Sequence, residues 1–413
     1  MKHVTAAVSS VCGTNISQNS KILSIFGETG GKKPVSLIFM ERHQLITVGK
    51  DLETTYLGIK EFRPDVIHLV ATKETSGTYC HMLRLISPKI KVYEYLVGPY
   101  DVEEIMRVCG EIQEKFPDAE FIYNLSEGTK IMAMAAGKVA AEFNERAIYI
   151  TQDGYWIDTF NYHRTRLEHG ISNNEYIRLY GNSVRDFEDV RKMNELDVNT
   201  AYYVKKFIER NLEIYNQAKR WYRSLPESKS CRRYEARLPS GYFIESDSGT
   251  LTIFKGLSVL FDSACRRSCE LMFLGRWWEV IVADVVSGWK KTKPESGKTE
   301  IWRDVIFNDV DKNAVKNEVD LLVNEKQRLL LIECKSGEVF SADIFKIQSV
   351  RETYGGTVSK AMLVSYMPLS QSIIEKCNDL GIHWFAPKDY ASRINHIKEL
   401  PQWLDEVTDK HEL

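Results

Sequence analysis

Between Pro34 and Phe160, apolar runs of strand length alternate with segments of helical period, and this restricts the fold more than any other feature of the chain. The spacing predicts strands over Val35 to Met40, Asp65 to Ala71, Lys91 to Val97 and Glu120 to Asn124. It predicts helices over Asp51 to Phe62, Tyr79 to Ile86, Val102 to Phe116 and Lys130 to Phe143. Two short strands, Ala147 to Thr151 and Tyr155 to Phe160, meet at Gln152-Asp153-Gly154. Repeated strand–helix units imply a mostly parallel sheet covered by helices, a Rossmann-like α/β domain. Such sheets bind ligands outside the carboxyl ends of their strands, where helix N-termini and backbone amides hold phosphate. Residues 1–33 offer a further strand, His3 to Ser9, and helix, Gln18 to Phe26, without a fixed place in the sheet.

At 413 residues the chain exceeds one typical domain. We divide it into 1–160, a helical linker with a short hairpin over 161–260, and a second α/β core over 261–413. No apolar run reaches transmembrane length, and the N-terminus lacks a signal-peptide core, so a cytoplasmic protein without a membrane partner is expected. Eight scattered cysteines include one near pair, Cys265 and Cys269, with no matching second pair, which argues for free thiols and against zinc. The net charge of −2 carries no global nucleic-acid signature. A polyanion would need a local basic surface or a metal.

The strand at Glu120 runs into Asn124-Leu125-Ser126-Glu127-Gly128-Thr129-Lys130 and then a small-residue helix. Glycine permits close backbone approach, Ser126 and Thr129 offer hydroxyls and Lys130 offers charge, so phosphate can dock there. A capped helix start explains the same hydroxyls. The spacing fits neither a Walker loop nor a dinucleotide fingerprint.

The segment NLSEGTKIM resembles the N-x-[ST]-x-G-T-K-x-M stretch of CRISPR-associated Rossmann-fold (CARF) sensor domains. Those domains bind cyclic oligoadenylates made by type III CRISPR systems, across the two-fold axis of a dimer. The resemblance implies a homodimer with Ser126, Gly128, Thr129 and Lys130 as ligand contacts and Asn124 supporting the loop. Thr72 and Lys73, at another strand end, are expected to form a second ligand edge, with a helix entry the alternative reading, and the tetra-adenylate ring is the expected activator. Glu127 departs from the glycine common at its position.

Beyond Phe160 the tyrosine- and charge-rich segments Asn173 to Tyr180 and Asn199 to Tyr222 read as helices with one buried stripe. The cluster Lys229, Arg232, Arg233 and Arg237 reads as a wet loop, with nucleic-acid contact the alternative. Gly241 to Lys255 reads as a hairpin.

In the last third, Glu318 to Val323 and Arg328 to Cys334 form a hairpin that places Glu333 and Lys335 on one face, with Asp320 beside them. Paired carboxylates suit a hard cation, Mg²⁺ or Mn²⁺, and the lysine can orient water or stabilise a phosphate. An isolated Glu-x-Lys is more often a solvated pair. Its context is a helix from Phe261 to Val286, a strand near Ile301 to Phe307, this hairpin, a helix from Ser341 to Tyr354, a strand over Ala361 to Tyr366, a helix from Ser370 to Leu380 and a strand over Ile382 to Phe385.

That order resembles the PD-(D/E)XK nuclease core. By resemblance, Asp320 is the first acid, Glu333 the second and Lys335 the lysine; Val319 stands where the family name has proline. FLGRWWE, ending at Glu279, resembles the glycine-aromatic-glutamate signature on the first helix of many such nucleases. A structural salt bridge is the other reading of Glu279. Asp304, Asp309 and Asp311 read as turn residues, and Lys346 as helix-surface charge or a phosphate contact.

The two resemblances together imply a metal-dependent nuclease switched on by a cyclic oligoadenylate, cutting DNA or single-stranded RNA. A constitutive restriction-like nuclease, a regulator that binds nucleic acid without cutting it, and a sensor that degrades its own activator stay open.

Overall fold

The computed structural model describes residues 40–225, 233–239, 241–293, 300–308, 315–325, 328–356 and 358–409. They form two compact units, one ending at Ile171 and the other beginning at Ser172. The expectations for residues 1–33 and for Lys229, Arg232, Asp309 and Asp311 lie outside the described residues.

The first unit runs β1 (Arg42–Thr47), α1 (Leu52–Phe62), β2 (Val66–Ala71), α2 (Cys80–Leu83), β3 (Lys91–Leu96), α3 (Val102–Lys115), β4 (Glu120–Asn124), α4 (Lys130–Glu142), β5 (Arg146–Ile150), β6 (Tyr155–Asp158) and β7 (Arg164–Arg166). Its sheet has the order β3-β2-β1-β4-β5-β6-β7. The first five strands are parallel and β6 and β7 extend the sheet antiparallel. β2 is buried at every position, as a strand covered on both faces must be. Strand order reverses between β1 and β4, so the ligand crevice of this fold lies outside the carboxyl ends of those two strands.

The expected first strand, Val35 to Met40, lies largely outside the described residues. β1 escaped the periodicity reading because His43 and Gln44 interrupt its apolar run, yet both are buried. His43 is satisfied inside, its ring nitrogens 3.0 Å from His68 Nε2 and 3.1 Å from Glu41 Oε2. The helix expected over Tyr79 to Ile86 is a single turn, α2.

The second unit runs α5 (Asn173–Leu179), β8 (Val184–Asp189), α6 (Glu195–Arg210), α7 (Leu212–Ser224), β9 (Tyr234–Arg237), β10 (Tyr242–Ser246), β11 (Leu251–Lys255), β12 (Ser258–Ser263), α8 (Ser268–Leu274) and α9 (Arg276–Lys291). It continues with β13 (Ile301–Asn308), β14 (Val315–Glu325), β15 (Arg328–Lys335), α10 (Ser341–Tyr354), β16 (Lys360–Ser365), α11 (Gln371–Asp379), β17 (Ile382–Phe385) and α12 (Leu400–Asp409). One sheet is the antiparallel β12-β11-β10-β9, the other the six-stranded β17-β16-β15-β14-β13-β8.

The stretch 161–260 is therefore divided and is not a separate helical connector. β7 completes the first sheet, β8 pairs with β13 at the edge of the six-stranded sheet, and the apolar stripes of α6 and α7 share one core with α9. An amphipathic stripe must be covered, and here it is covered by the second unit itself. The continuous helix expected from Phe261 to Val286 is a strand and two helices. Gly275 breaks it at φ +86, a left-handed conformation in which a Cβ would come within 2.5 Å of Ser336 Oγ.

The alternating sides of β16 join different cores. Met362 and Val364 pack in the core shared with α9, and Ala361 and Leu363 pack with Ile344 and Ile347 of α10. Glu333, beside Leu363 in the parallel ladder, faces α10.

Candidate functional site

The antiparallel ladder of β14 and β15 closes with Leu321 opposite Ile332, which sets Asp320 opposite Glu333. Asp320 is held by the Cys334 backbone N–H, which donates to its Oδ2 at 2.6 Å. Glu333 is buried with only 1% of its surface exposed. Two ammonium groups neutralise it. Lys335 Nζ lies 2.9 Å from Oε1, and Lys346 Nζ donates to Oε1 at 3.0 Å and Oε2 at 3.3 Å. Lys335 also pairs with Asp343 at 3.0 Å, and Lys346 approaches Glu318 at 3.7 Å.

The acids crowd one another. Burial, then the charges of Glu333 and Glu279, push Asp320 well above the usual carboxylate range, against the Cys334 hydrogen bond and Lys346. Glu279 is pushed up to about 7 by burial, then by the charge of Asp304, with Arg276 opposing. Burial works against the Lys335 ammonium, but Glu333 and Asp343 outweigh it and raise its pKa. Held protonated, Lys335 supplies charge and N–H donors rather than a base.

Sequence reasoning left Lys346 between helix-surface charge and a phosphate contact, and it missed Asp304. Lys346, on α10, is carried to Glu333 by the packing of that helix on the sheet, and one clue was its position a turn beyond Asp343. Asp304 is no turn residue. It lies in β13, across from Asp320, with φ +50, and pairs with Arg276 at 3.6 Å. A left-handed aspartate inside a strand is strained, and nothing in the local sequence announces it. Among the described residues, no three histidine, cysteine or acidic side chains stand ready as a metal cage.

In the first unit, the loop from Asn124 to Lys130 occupies the switch-point crevice. Asn124 is buried, and its side-chain oxygen accepts from the Ser126 N–H at 3.2 Å and the Ser126 hydroxyl at 2.5 Å. Ser126 Oγ in turn accepts from the Ile150 N–H at 2.8 Å. Thr129 caps α4 by accepting from the Met132 N–H at 3.1 Å and donates to the Pro99 carbonyl at 2.7 Å. Both hydroxyls are thus engaged within the protein. Gly128, at φ +85, and Lys130 are the exposed members.

Glu127 turns toward the β1–α1 junction. Thr54 donates to its Oε1 at 3.1 Å, and a Cβ on Gly49 would lie 2.3 Å from its Oε2. Burial and the Asp51 charge raise it to about 7. At the end of β2, Thr72 is buried in a turn with Thr75, whose N–H reaches its hydroxyl at 3.3 Å, and Lys73 is exposed.

The sequence model of the family described as Card1-like, endonuclease domain matches residues 266–404, which contain Glu279, Asp320, Glu333 and Lys335. No curated protein matches the chain. Among solved structures the chain is similar to Can2 from Sulfobacillus thermosulfidooxidans in complex with cyclic tetra-adenylate, at 18% identity and TM-score 0.65, over 90% of this chain and 98% of that one. It is also similar to protein VC1899 from Vibrio cholerae, at 16% identity and TM-score 0.68, over 89% and 98% of the two chains. These likenesses are of fold. The α/β architecture is the one expected, and the endonuclease-domain match falls within the second unit.

Proposed function

We propose that this chain is a metal-dependent nuclease of type III CRISPR defence, activated by a cyclic oligoadenylate, that hydrolyses phosphodiester bonds of DNA or single-stranded RNA. The observation that carries the reading is the buried Glu333 with Asp320 opposite and Lys335 beside it, inside the residues that match the endonuclease family.

The residues suit Mg²⁺ or Mn²⁺. Their donors are all carboxylate oxygens, and the Lys346 ammonium already stands as a cation against both oxygens of Glu333. Asp320 and Glu333 would hold the ion. Bound there, it would polarise the phosphate and make a coordinated water more acidic. Lys335 binds a phosphate oxygen or positions the attacking water and stabilises the charge that develops on the phosphate. Glu279 contributes a carboxyl group at the edge of the acid cluster. The Cys334 N–H keeps Asp320 in place through the reaction.

The activator reading rests on the loop at the switch point, on the NLSEGTK segment and on the likeness to Can2, which was solved with cyclic tetra-adenylate. Gly128 and Lys130 meet the ring, Asn124, Ser126 and Thr129 shape the loop that presents them, and Thr72 and Lys73 form its second edge. Tyr100 and Met134, 74% and 72% exposed beside that loop, support a homodimer across this face. No helix among the described residues is long and apolar enough to cross a membrane. Binding activates only by favouring the cutting state over the idle one.

The test incubates purified protein with plasmid DNA and labelled RNA, with Mg²⁺ or Mn²⁺, with and without cyclic tetra- or hexa-adenylate. The expected result is cleavage that needs both metal and ring and disappears in Glu333→Ala and Lys335→Ala. Full activity in both variants sinks the hydrolytic site; cleavage indifferent to the ring sinks the activation.

A further inference from the structure

Two large aromatic side chains stand in solvent at the start of α10, Phe340 at 60% and Phe345 at 51% exposure. A single exposed apolar residue needs no explanation. Phe340 differs because its backbone is tied to the acids. The Phe340 N–H donates to Asp343 Oδ2 at 2.8 Å, the other Asp343 oxygen holds Lys335 at 3.0 Å, and Lys335 reaches Glu333 at 2.9 Å. Two side chains link the Phe340 backbone to Glu333, so this exposed residue lies two side chains from the acid.

Phe345 follows on the same helix. The Lys376 ammonium lies 4.7 Å over its ring and donates to Ser341 Oγ at 3.0 Å. The start of α10 thus carries two exposed aromatic residues, with Lys335 reached from Phe340 through Asp343 and Lys376 over Phe345. Bases stack on aromatic rings and phosphates pair with cations, the combination by which proteins grip an unpaired strand.

We propose that Phe340 is a specificity-determining residue of the nuclease site, stacking on the base of a nucleotide that flanks the bond to be cut, with Phe345 and Lys376 continuing the track. This rests on the nuclease reading above. Asp343 is the positioning residue, since it fixes the start of α10 and the Lys335 ammonium with one carboxylate. The occupant is an unpaired nucleic-acid base; the charges beside the rings suit its phosphates and would serve an apolar protein contact poorly.

The test is cleavage kinetics of the full chain, with Mn²⁺ and cyclic tetra-adenylate, on a single-stranded oligonucleotide supplied as DNA and as RNA. One abasic residue is moved through the positions flanking the cut. Phe340→Ala lowers kcat/KM about tenfold on the intact strand, mostly through KM, and Phe340→Trp restores it. At one position the abasic substrate slows the wild type by the same factor, and there wild type and Phe340→Ala cut alike. The exposed ring leaves Tm unchanged in both variants, and the abasic series reads the contact from the substrate side without altering the protein. Unchanged kcat/KM in Phe340→Ala overturns the stacking role, as do abasic effects that add in full to the variant at every position. A change of oligomeric state in place of KM overturns it in favour of an interface between copies. Absence of cleavage by the wild type overturns the nuclease reading and the stacking role with it.

Discussion

Replacing Glu279 by glutamine in the metal-free protein separates an acid forced into a crowded site from a structural ion pair. In the folded state burial and the Asp304 charge hold the Glu279 carboxyl up at about 7, against 4.5 as its ordinary value. Between those values the folded state binds more protons than the unfolded one. Stability therefore falls as pH rises, and the loss is complete above the folded pKa. A difference of about 2.5 units at 1.36 kcal/mol each sets the ceiling at about 3 kcal/mol. Glutamine carries no charge to be penalised. Glu279→Gln should match the wild type near pH 4.5 and become more stable by up to about 3 kcal/mol at pH 8. In a unit of this size that raises Tm by roughly 6–12 °C. The assay is thermal unfolding of the full chain in EDTA across that pH range, following the transition of the second unit by tryptophan fluorescence. A difference between the proteins that does not change with pH refutes the reasoning. So does a glutamine variant less stable at pH 8, which would make the Arg276 attraction dominant. Added Mn²⁺ should stabilise the wild type more at pH 8 than at pH 5, because protons compete for the same oxygens.

Lys346→Met removes an ammonium 3.0 Å from Glu333, an attraction of several kcal/mol at an effective dielectric of about 20. Mn²⁺ affinity by titration calorimetry should rise at least about tenfold while metal-free Tm falls; unchanged affinity would show that the lysine does not compete. Gly128→Ala forces a side chain into φ +85 and within 3.1 Å of Thr47 Cβ, a strain of about 1–2 kcal/mol. It should lower Tm slightly and weaken cyclic tetra-adenylate binding at least fivefold, and intact binding would remove this loop from the activator site. Trp278→Ala empties a core position that is 1% exposed and strips the Val364 carbonyl of an indole donor at 3.0 Å. Its cost is about 3–5 kcal/mol, measured by urea unfolding; a loss under 1 kcal/mol would contradict the packing described.

Local chemistry made much of this protein legible before folding. Alternating strands and helices marked the parallel sheet, since the period of apolar residues is set by backbone geometry alone. Glu333 and Lys335 shared a face for the same reason, and NLSEGTK marked a turn into a helix. Buried polar residues misled the reading: His43 and Gln44 hid a central strand although both are buried, and the His68 ring that satisfies His43 is distant in sequence. The hydroxyls of Ser126 and Thr129 look available in sequence and are engaged in the fold, by Asn124 and Ile150 for one and by Pro99 and Met132 for the other.

The character of the acid cluster belongs to long-range packing. Lys346 reaches Glu333 from another element, Asp304 acts on Glu279 from a strained position in β13, and Asp343 ties the exposed Phe340 to Lys335. Periodicity records which way a side chain points. Its charge state depends on burial and on the neighbours the chain brings to it, and those are set when the helices close on the sheet.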